Sequence, residues 1–133
     1  MNETRIQTIS LNNGLTVGLF DGSRRIAGDR WQVTLLARME IPVDALHLNA
    51  ADLPNALEIK QALGETVIFE VKKQRNFIGE PEKHQVFDDL KDTFIRISLP
   101  YLSHPDFPGW YIARQFAELK KRRSWEDKRT LQE

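Results

Sequence analysis

The stretch RWQVTLLARMEIPV, residues 30–43, constrains the fold more than any other part of the chain. Its apolar residues recur at every second position: Trp31, Val33, Leu35, Ala37, Met39, Ile41 and Val43. The positions between them are polar as far as Glu40, except for Leu36. A two-residue period is that of a β-strand, and seven matches leave little room for a helix. The stretch therefore predicts a long strand with one buried face, and Pro42 suits its end, where no ladder donor is needed.

Two hairpins are predicted before and into this strand. RIQTISL and LTVGLF flank Asn12-Asn13-Gly14, and Asn-Gly between strands is typical of a type I′ turn, in which both central residues have positive φ. The second hairpin places Gly28-Asp29 in a type II′ turn, so that Gly28 supplies the positive φ and Arg25 faces Gln32. Asp21-Gly22 indicates a bulge that lets the preceding strand bend.

One further strand and three helices complete the pattern. In ETVIFEVKKQ, residues 65–74, the side chains of Val67, Phe69 and Val71 point inward. The predicted helices run from an N-cap at Asp52 to Gly64, from near Pro81 to a kink or stop near Ser98, and from about Trp110 to Trp125. Strands mostly precede helices, which predicts an α+β fold. We expect an antiparallel sheet of about four or more strands, built from N-terminal hairpins and covered by about three helices mostly from the C-terminal half. A single domain over residues 1–133, with 127–133 a frayed tail, is the predicted organisation.

The composition excludes some functions and limits others. Lys plus Arg and Asp plus Glu both number 19, and this balance argues against a dedicated nucleic-acid binder. The chain has no cysteine, so it has no disulfide, thiolate zinc site or cysteine nucleophile, which fits a reducing compartment. MNETRIQTIS lacks the apolar region of a signal peptide, and no apolar run approaches the ~18 residues of a membrane span. We therefore expect a soluble, cytoplasmic protein without a membrane partner.

No catalytic constellation stands out in the sequence. The histidines His47, His84 and His104 lie in no HExxH register, and no serine lies in a GxSxG turn. We therefore predict no catalytic residue, no metal site and no cofactor. A small hydrolase built around the histidines and nearby acids is kept as a second alternative function.

The loop DGSRRIAGDRW, residues 21–31, is the candidate ligand site. Arg24, Arg25 and Arg30, with Ser23 beside them, would form an anion site if their guanidinium groups converged, since arginine pairs well with phosphate. The protein would then be a regulatory domain that binds a nucleotide or another phosphorylated small ligand through this loop. The alternative is that the loop is only a polar hairpin, and this architectural role is the one we expect.

The same stretch resembles the PilZ domains, the cyclic-di-GMP receptors. Asp21 and Ser23 match the first two positions of their Asp-x-Ser-x-x-Gly turn, and Gly28-Asp29 matches the step into an alternating strand. Ile26 stands where the family has glycine, and the upstream Arg-x-x-x-Arg motif is absent, with only Arg5 nearby. The resemblance covers about a sixth of the chain and implies a degenerate PilZ-like nucleotide site.

Aromatic residues in two connections and in the last helix are candidate contacts with a partner. RNFIGEP places Phe77 and Ile78 between a strand and a helix, and HPDFPGW places Phe107 and Trp110 beside two prolines. We expect these side chains to pack against the core, with an exposed anchor as the alternative. Trp125 follows four basic residues, which by themselves complement a helix C-terminus.

The main prediction is therefore a non-catalytic protein-interaction or structural module. It would bind a protein partner, or form a homodimer, through the uncovered face of the sheet or through an edge strand. Trp110, Phe107 and Trp125 are its candidate contact residues.

Overall fold

The chain forms an antiparallel sheet, and most of its α-helices come after the last strand in sequence, which confirms the α+β class. The computed structural model describes residues 3–132, with side chains as far as residue 126. The strands are β1 (Thr4–Ser10), β2 (Thr16–Asp21), β3 (Arg24–Ala27), β4 (Arg30–Pro42) and β5 (Thr66–Gly79). The helices are α1 (Ala56–Leu63), α2 (Lys83–Ile97), α3 (Leu99–Leu102) and α4 (Phe107–Gln132). Short 3₁₀ helices, Ala50–Asn55 and Glu80–Glu82, precede α1 and α2.

Strand β4 is the centre of the sheet. Its residues 35–39 pair with β2, and its first residues pair with β3, so β2 and β3 follow one another along the same edge of β4. Strand β1 pairs with β2, and β5 pairs with β4. The 13 residues of β4 thus pair with three strands, β2, β3 and β5.

The predicted inward face of β4 is confirmed. Val33, Leu35, Ala37 and Met39 are essentially inaccessible to solvent, and Trp31 at its start is half-buried. The opposite face differs from the prediction in its middle, where Thr34 and Leu36 are also buried. On this face Phe20 of β2 lies directly opposite Leu36, and the Thr34 hydroxyl bonds the Gln74 side chain of β5.

The chain divides into two compact units. One contains the chain up to Glu40 together with Ile68–His104, and the other contains Ile41–Val67 and the chain from Pro105. The second unit includes α1 and α4, which pack against each other. The single domain over 1–133 stays a prediction, and its frayed tail, 127–133, lies outside the described side chains.

The first hairpin is confirmed, but its predicted turn type is wrong. Gly14 has a φ of +87°, whereas Asn13 does not have the positive φ that a type I′ turn needs. The Gly14 amide donates to the Leu11 carbonyl, and the Leu11 amide donates to the Leu15 carbonyl. This is a type I turn followed by a glycine bulge, the usual three-residue alternative.

The second hairpin keeps its turn and changes its register. Gly28 has the expected positive φ, +54°. A bulge between Arg25 and Ala27 shifts the pairing by one residue, so that Arg25 faces Trp31 and Arg24 faces Gln32. The prediction that Arg25 faces Gln32 is therefore wrong, because a one-residue shift reverses the faces of a strand.

The helices agree with the sequence in position more than in detail. Asp52 is no N-cap, since it lies inside the 3₁₀ helix that precedes α1. Gly64 ends α1 at a φ of +91°, as expected of a C′ glycine. Helix α2 ends at Ile97, with Ser98 as its C-cap, so the predicted break near Ser98 is confirmed.

Asn13 links the first hairpin to the end of α3. Its amide nitrogen donates to the carbonyls of Leu102, at 2.8 Å, and His104, at 3.0 Å, while its oxygen accepts from the Leu15 amide. We expect Asn13→Ala to lower the free energy of unfolding by about 1–3 kcal/mol, because it removes the partner of the partly buried Leu102 carbonyl and Leu15 amide. Urea denaturation measures the loss. Asn12→Ala, which removes an exposed neighbour, should change stability by less than about 0.5 kcal/mol, and equal losses would contradict the prediction.

Candidate functional site

The three arginines of the loop do not converge. Nε of Arg24 donates to the Gln32 side chain at 3.2 Å, whereas the Arg25 guanidinium lies 6.0 Å from the centroid of the Trp31 ring. Neighbouring residues in a strand point to opposite faces, so Arg24 and Arg25 are separated by β3 itself. Arg30 lies 3.8 Å from the Asp29 carboxylate. The loop is therefore a hairpin, and one anion site built from all three arginines is ruled out.

Ser23 and Asp21 hold the junction between β2 and β3. The Ser23 amide donates to the Asp21 carboxylate, and the Ser23 hydroxyl accepts from the Thr34 amide. The Gly22 amide donates to the Thr34 carbonyl. These bonds join the irregular step at Gly22-Ser23 to β4, which agrees with the bulge predicted there.

A hollow lies over Gly22 on the face of the sheet that carries Arg24. It has a volume of about 240 Å³ and is bordered by Arg24 and Lys72. Glu3 also borders it, but that carboxylate pairs with Arg38 at 3.2 Å. The hydrogen bond from Arg38 to Glu70, at 2.6 Å, raises the pKa of Arg38. Arg24 and Lys72 thus remain as cations without a carboxylate partner among the described residues.

Two charged side chains from outside the loop, Glu80 and Lys83, contact Trp31. The Lys83 ammonium lies 3.7 Å from the centroid of the Trp31 ring, and the indole N–H donates to Glu80. That hydrogen bond, followed by the charge of Lys83, lowers the pKa of the Glu80 carboxyl. This cluster attaches the start of β4 to the start of α2, and Lys83 and Glu80 also form an ion pair at 3.5 Å.

The outer edge of β5 is the longest unpaired strand edge among the described residues. Strand β5 has 14 residues, against seven in β1, and β1 is interrupted by a bulge. No described strand pairs with β5 on the side away from β4. Short and bulged edges protect a protein from adding a further strand, whereas a long exposed edge attracts one.

The register of β5 identifies the backbone groups that point outward. The Val43 amide donates to the Glu65 carbonyl, and residues of a hydrogen-bonded antiparallel pair recur at every second position. Side-chain bonds between Thr34 and Gln74, and between Gln32 and Asn76, keep the same register. The amides and carbonyls of Lys72, Gln74 and Asn76 therefore face away from β4. The Gln74 carbonyl accepts a bond from the guanidinium of Arg75, at 3.0 Å, in place of a strand neighbour.

A groove of about 540 Å³ runs between β5 and α2. Its floor is apolar, formed mainly by Ile78, Val86, Leu90 and Phe94, with Ile97 at one end. Lys73 and Arg75 border it on the strand side, and Asp89 and Thr93 border it on the helix side. Its volume is in the ~300–1,000 Å³ range of ligand sites, and it follows the unpaired edge of β5.

Phe77 adds an exposed aromatic ring near the end of this strand. It is 74% exposed and has a φ of +58°, the only positive φ of a non-glycine residue in the described chain. Bulky residues rarely adopt this conformation, and such strain concentrates at functional sites. The expectation that Phe77 packs against the core is wrong. Strand β5 extends to Gly79, and Ile78, the residue after Phe77, borders the groove instead.

The other candidate contacts lie on α4. Phe107 is buried and its ring stacks on Tyr111 at 5.9 Å, so it packs as expected and is no surface anchor. Trp110 and Trp125 are exposed. These two indoles remain candidate contacts, but neither borders the groove beside β5 or the hollow over Gly22.

The histidines form no common centre in the part of the chain that the structure describes. Nδ1 of His47 contacts the Asp44 carboxylate at 2.6 Å, and His84 is exposed on α2. His104 lies just beyond α3, where its carbonyl accepts from Asn13. No group of three or more His, Asp or Glu side chains in residues 3–126 is arranged to hold a metal ion. Among the described residues, no helix has the length and apolarity to cross a bilayer.

Comparison with known proteins gives no relative: no family, no curated protein and no solved structure matches the chain significantly. The resemblance to PilZ domains thus rests on the loop alone. In that loop, Asp21 and Ser23 are engaged in bonds to the backbone of the protein itself. Sequence reasoning missed the groove between β5 and α2. The signal for it is that Lys73 and Arg75 take inward positions of β5, after Val71, where apolar residues would continue the pattern.

Proposed function

We propose that this protein is an interaction module that binds an extended segment of another protein along β5. The segment adds to the sheet as a further strand and places alternate side chains in the groove between β5 and α2. Strand addition is a common mode of peptide recognition, in which backbone bonds give affinity and a neighbouring groove gives specificity. The observation that carries the proposal is the long unpaired edge of β5 beside an apolar groove.

The charges of β5 favour a different protein over a second copy of this chain. Two β5 edges paired antiparallel about Gln74 would bring Lys73 of each copy directly opposite Arg75 of the other. Like charges directly opposite one another destabilise a strand pair. Lysine at an edge is also a natural device against self-pairing. A segment of other composition meets no such repulsion.

The experiment is a selection from a library of random heptapeptides displayed on phage, with the full chain as bait. Selected peptides are then synthesised, and hydrogen exchange is measured with and without them. Strand addition predicts slower exchange at the outward amides of Lys72, Gln74 and Asn76. No selected peptide, or protection confined to other elements, would contradict the proposal.

A second candidate function is the binding of a small anion in the hollow over Gly22. Arg24 and Lys72 border this hollow, and neither has a carboxylate partner among the described residues. The anionic ligand suggested by the sequence would therefore contact Arg24 together with Lys72, and neither Arg25 nor Arg30 would take part. A nucleotide or another phosphorylated metabolite has the chemistry that an arginine and a lysine bind.

Thermal shift in the presence of inorganic phosphate and common nucleotides tests this second function. A bound anion at 100 times its Kd should raise the free energy of unfolding by about 2.7 kcal/mol, seen as a shift in Tm. Arg24→Ala and Lys72→Ala should each abolish the shift, while Arg25→Ala should leave it unchanged. Absence of any shift in the unmodified protein, or equal sensitivity to Arg25→Ala, would reject the site.

A further inference from the structure

We infer that the partner segment is acidic, with two carboxylate side chains two residues apart that pair with Lys73 and Arg75, and an apolar side chain next to them on the same face. This inference rests on the proposed strand addition at β5. It names the chemistry of the partner, which the free edge and the groove alone do not determine.

The strand side of the groove provides the positive charge. Lys73 and Arg75 lie two residues apart, so their side chains point to the same face of β5, the face that borders the groove. Neither has a carboxylate partner among the described residues. In an added strand, the residues directly opposite them have Cβ atoms about 5 Å away, which is within reach of aspartate or glutamate.

The hydrogen bond of Arg75 supports the same assignment. Its guanidinium now donates to the outward carbonyl of Gln74. An added strand offers its own amide to that carbonyl and so releases the guanidinium. The released guanidinium is then free to turn to a carboxylate on the incoming strand, which is a stronger acceptor than water or a carbonyl.

The helix side of the groove does not cancel this charge. Its only carboxylate is Asp89, which accepts a bond from the Gln85 side chain at 2.9 Å. The other groups on that side are the neutral Thr93 and the apolar floor with Ile97 at its end. A segment with carboxylates toward β5 and an apolar side chain toward α2 therefore matches both sides.

The heptapeptide selection tests the inference by the composition of the peptides that it enriches. We expect an acidic-x-acidic pattern followed or preceded, two residues away, by an apolar residue. Lys73→Glu/Arg75→Glu should weaken binding of such a peptide about tenfold or more, and higher salt should weaken binding to the unmodified protein. A peptide with lysine in place of both acidic residues should regain affinity for the charge-reversed protein.

Lys121→Glu/Arg123→Glu is the matched control, because it reverses a lysine and an arginine two residues apart on the exposed surface of α4. It should leave binding unchanged. If the charge-reversed variant does not fold, the neutral variant Lys73→Gln/Arg75→Gln replaces it. Its affinity for the peptide should fall about threefold to tenfold. Peptides that protect the amides of Lys72 and Gln74 but carry no acidic residues would overturn the inference and leave strand addition intact. Absence of protection at those amides with every peptide would overturn both.

Discussion

Lys72→Pro is expected to raise the Kd for a selected peptide at least about tenfold, while Lys72→Ala leaves it within about threefold. The amide of Lys72 points away from β4, so proline removes a donor that the added strand needs and leaves the partner carbonyl without a bond. The ladder with β4 is kept, since proline is tolerated at edge positions whose amide faces solvent. Val71 already has the extended conformation that a residue before proline prefers.

Lys72→Ala is the control for the lysine side chain, because both substitutions remove the same ammonium and only proline removes the amide hydrogen. Fluorescence polarisation of a labelled peptide gives both Kd values, and circular dichroism with thermal unfolding confirms that each variant is folded. A proline variant that binds as tightly as the unmodified protein would show that the Lys72 amide takes no part in binding. A loss in both would instead assign the effect to the ammonium group.

Prediction from the sequence succeeds where one residue pattern serves one packing requirement. The two-residue period of β4 determines its buried face, because each inward position from Val33 onward meets the core. Gly28 and Gly64 are likewise predictable, since the turn after β3 and the end of α1 need positive φ. These features depend on residues close together in the chain.

The features that the sequence does not predict depend on residues far apart in the chain. Leu36 is buried because Phe20 lies opposite it, and nothing in the local pattern of β4 indicates this neighbour. Strand β5 continues beyond Gln74 alongside β4, where Gln32 bonds Asn76, although the sequence RNFIG has weak strand character. Without that extension, Phe77 and Ile78 belong to a loop, and the groove beside α2 is not visible in the sequence.

The candidate site changed for the same reason. The arginines of the loop are neighbours in sequence, but Arg24 and Arg25 are consecutive residues of β3 and therefore point to opposite faces. The sequence alone does not indicate a site at Lys73 and Arg75, because charged residues at the end of a strand are common. Their significance comes from α2, which forms the other side of the groove.

Leu35→Ala and Leu57→Ala should differ in their cost to the free energy of unfolding by about 3 kcal/mol, although both remove the same side chain from regular secondary structure. Leu35 is fully buried at the centre of β4, and a large-to-small change at such a site loses about 3 kcal/mol or more, through lost burial and the cavity that remains. Leu57 is 70% exposed on α1, and alanine has the higher helix propensity, so its replacement should cost less than about 0.5 kcal/mol. Urea denaturation with an unchanged m-value measures both. A cost below about 1 kcal/mol at Leu35 would contradict the central position of β4. A cost above about 2 kcal/mol at Leu57 would mean that α1 is covered by a surface that the single chain does not provide.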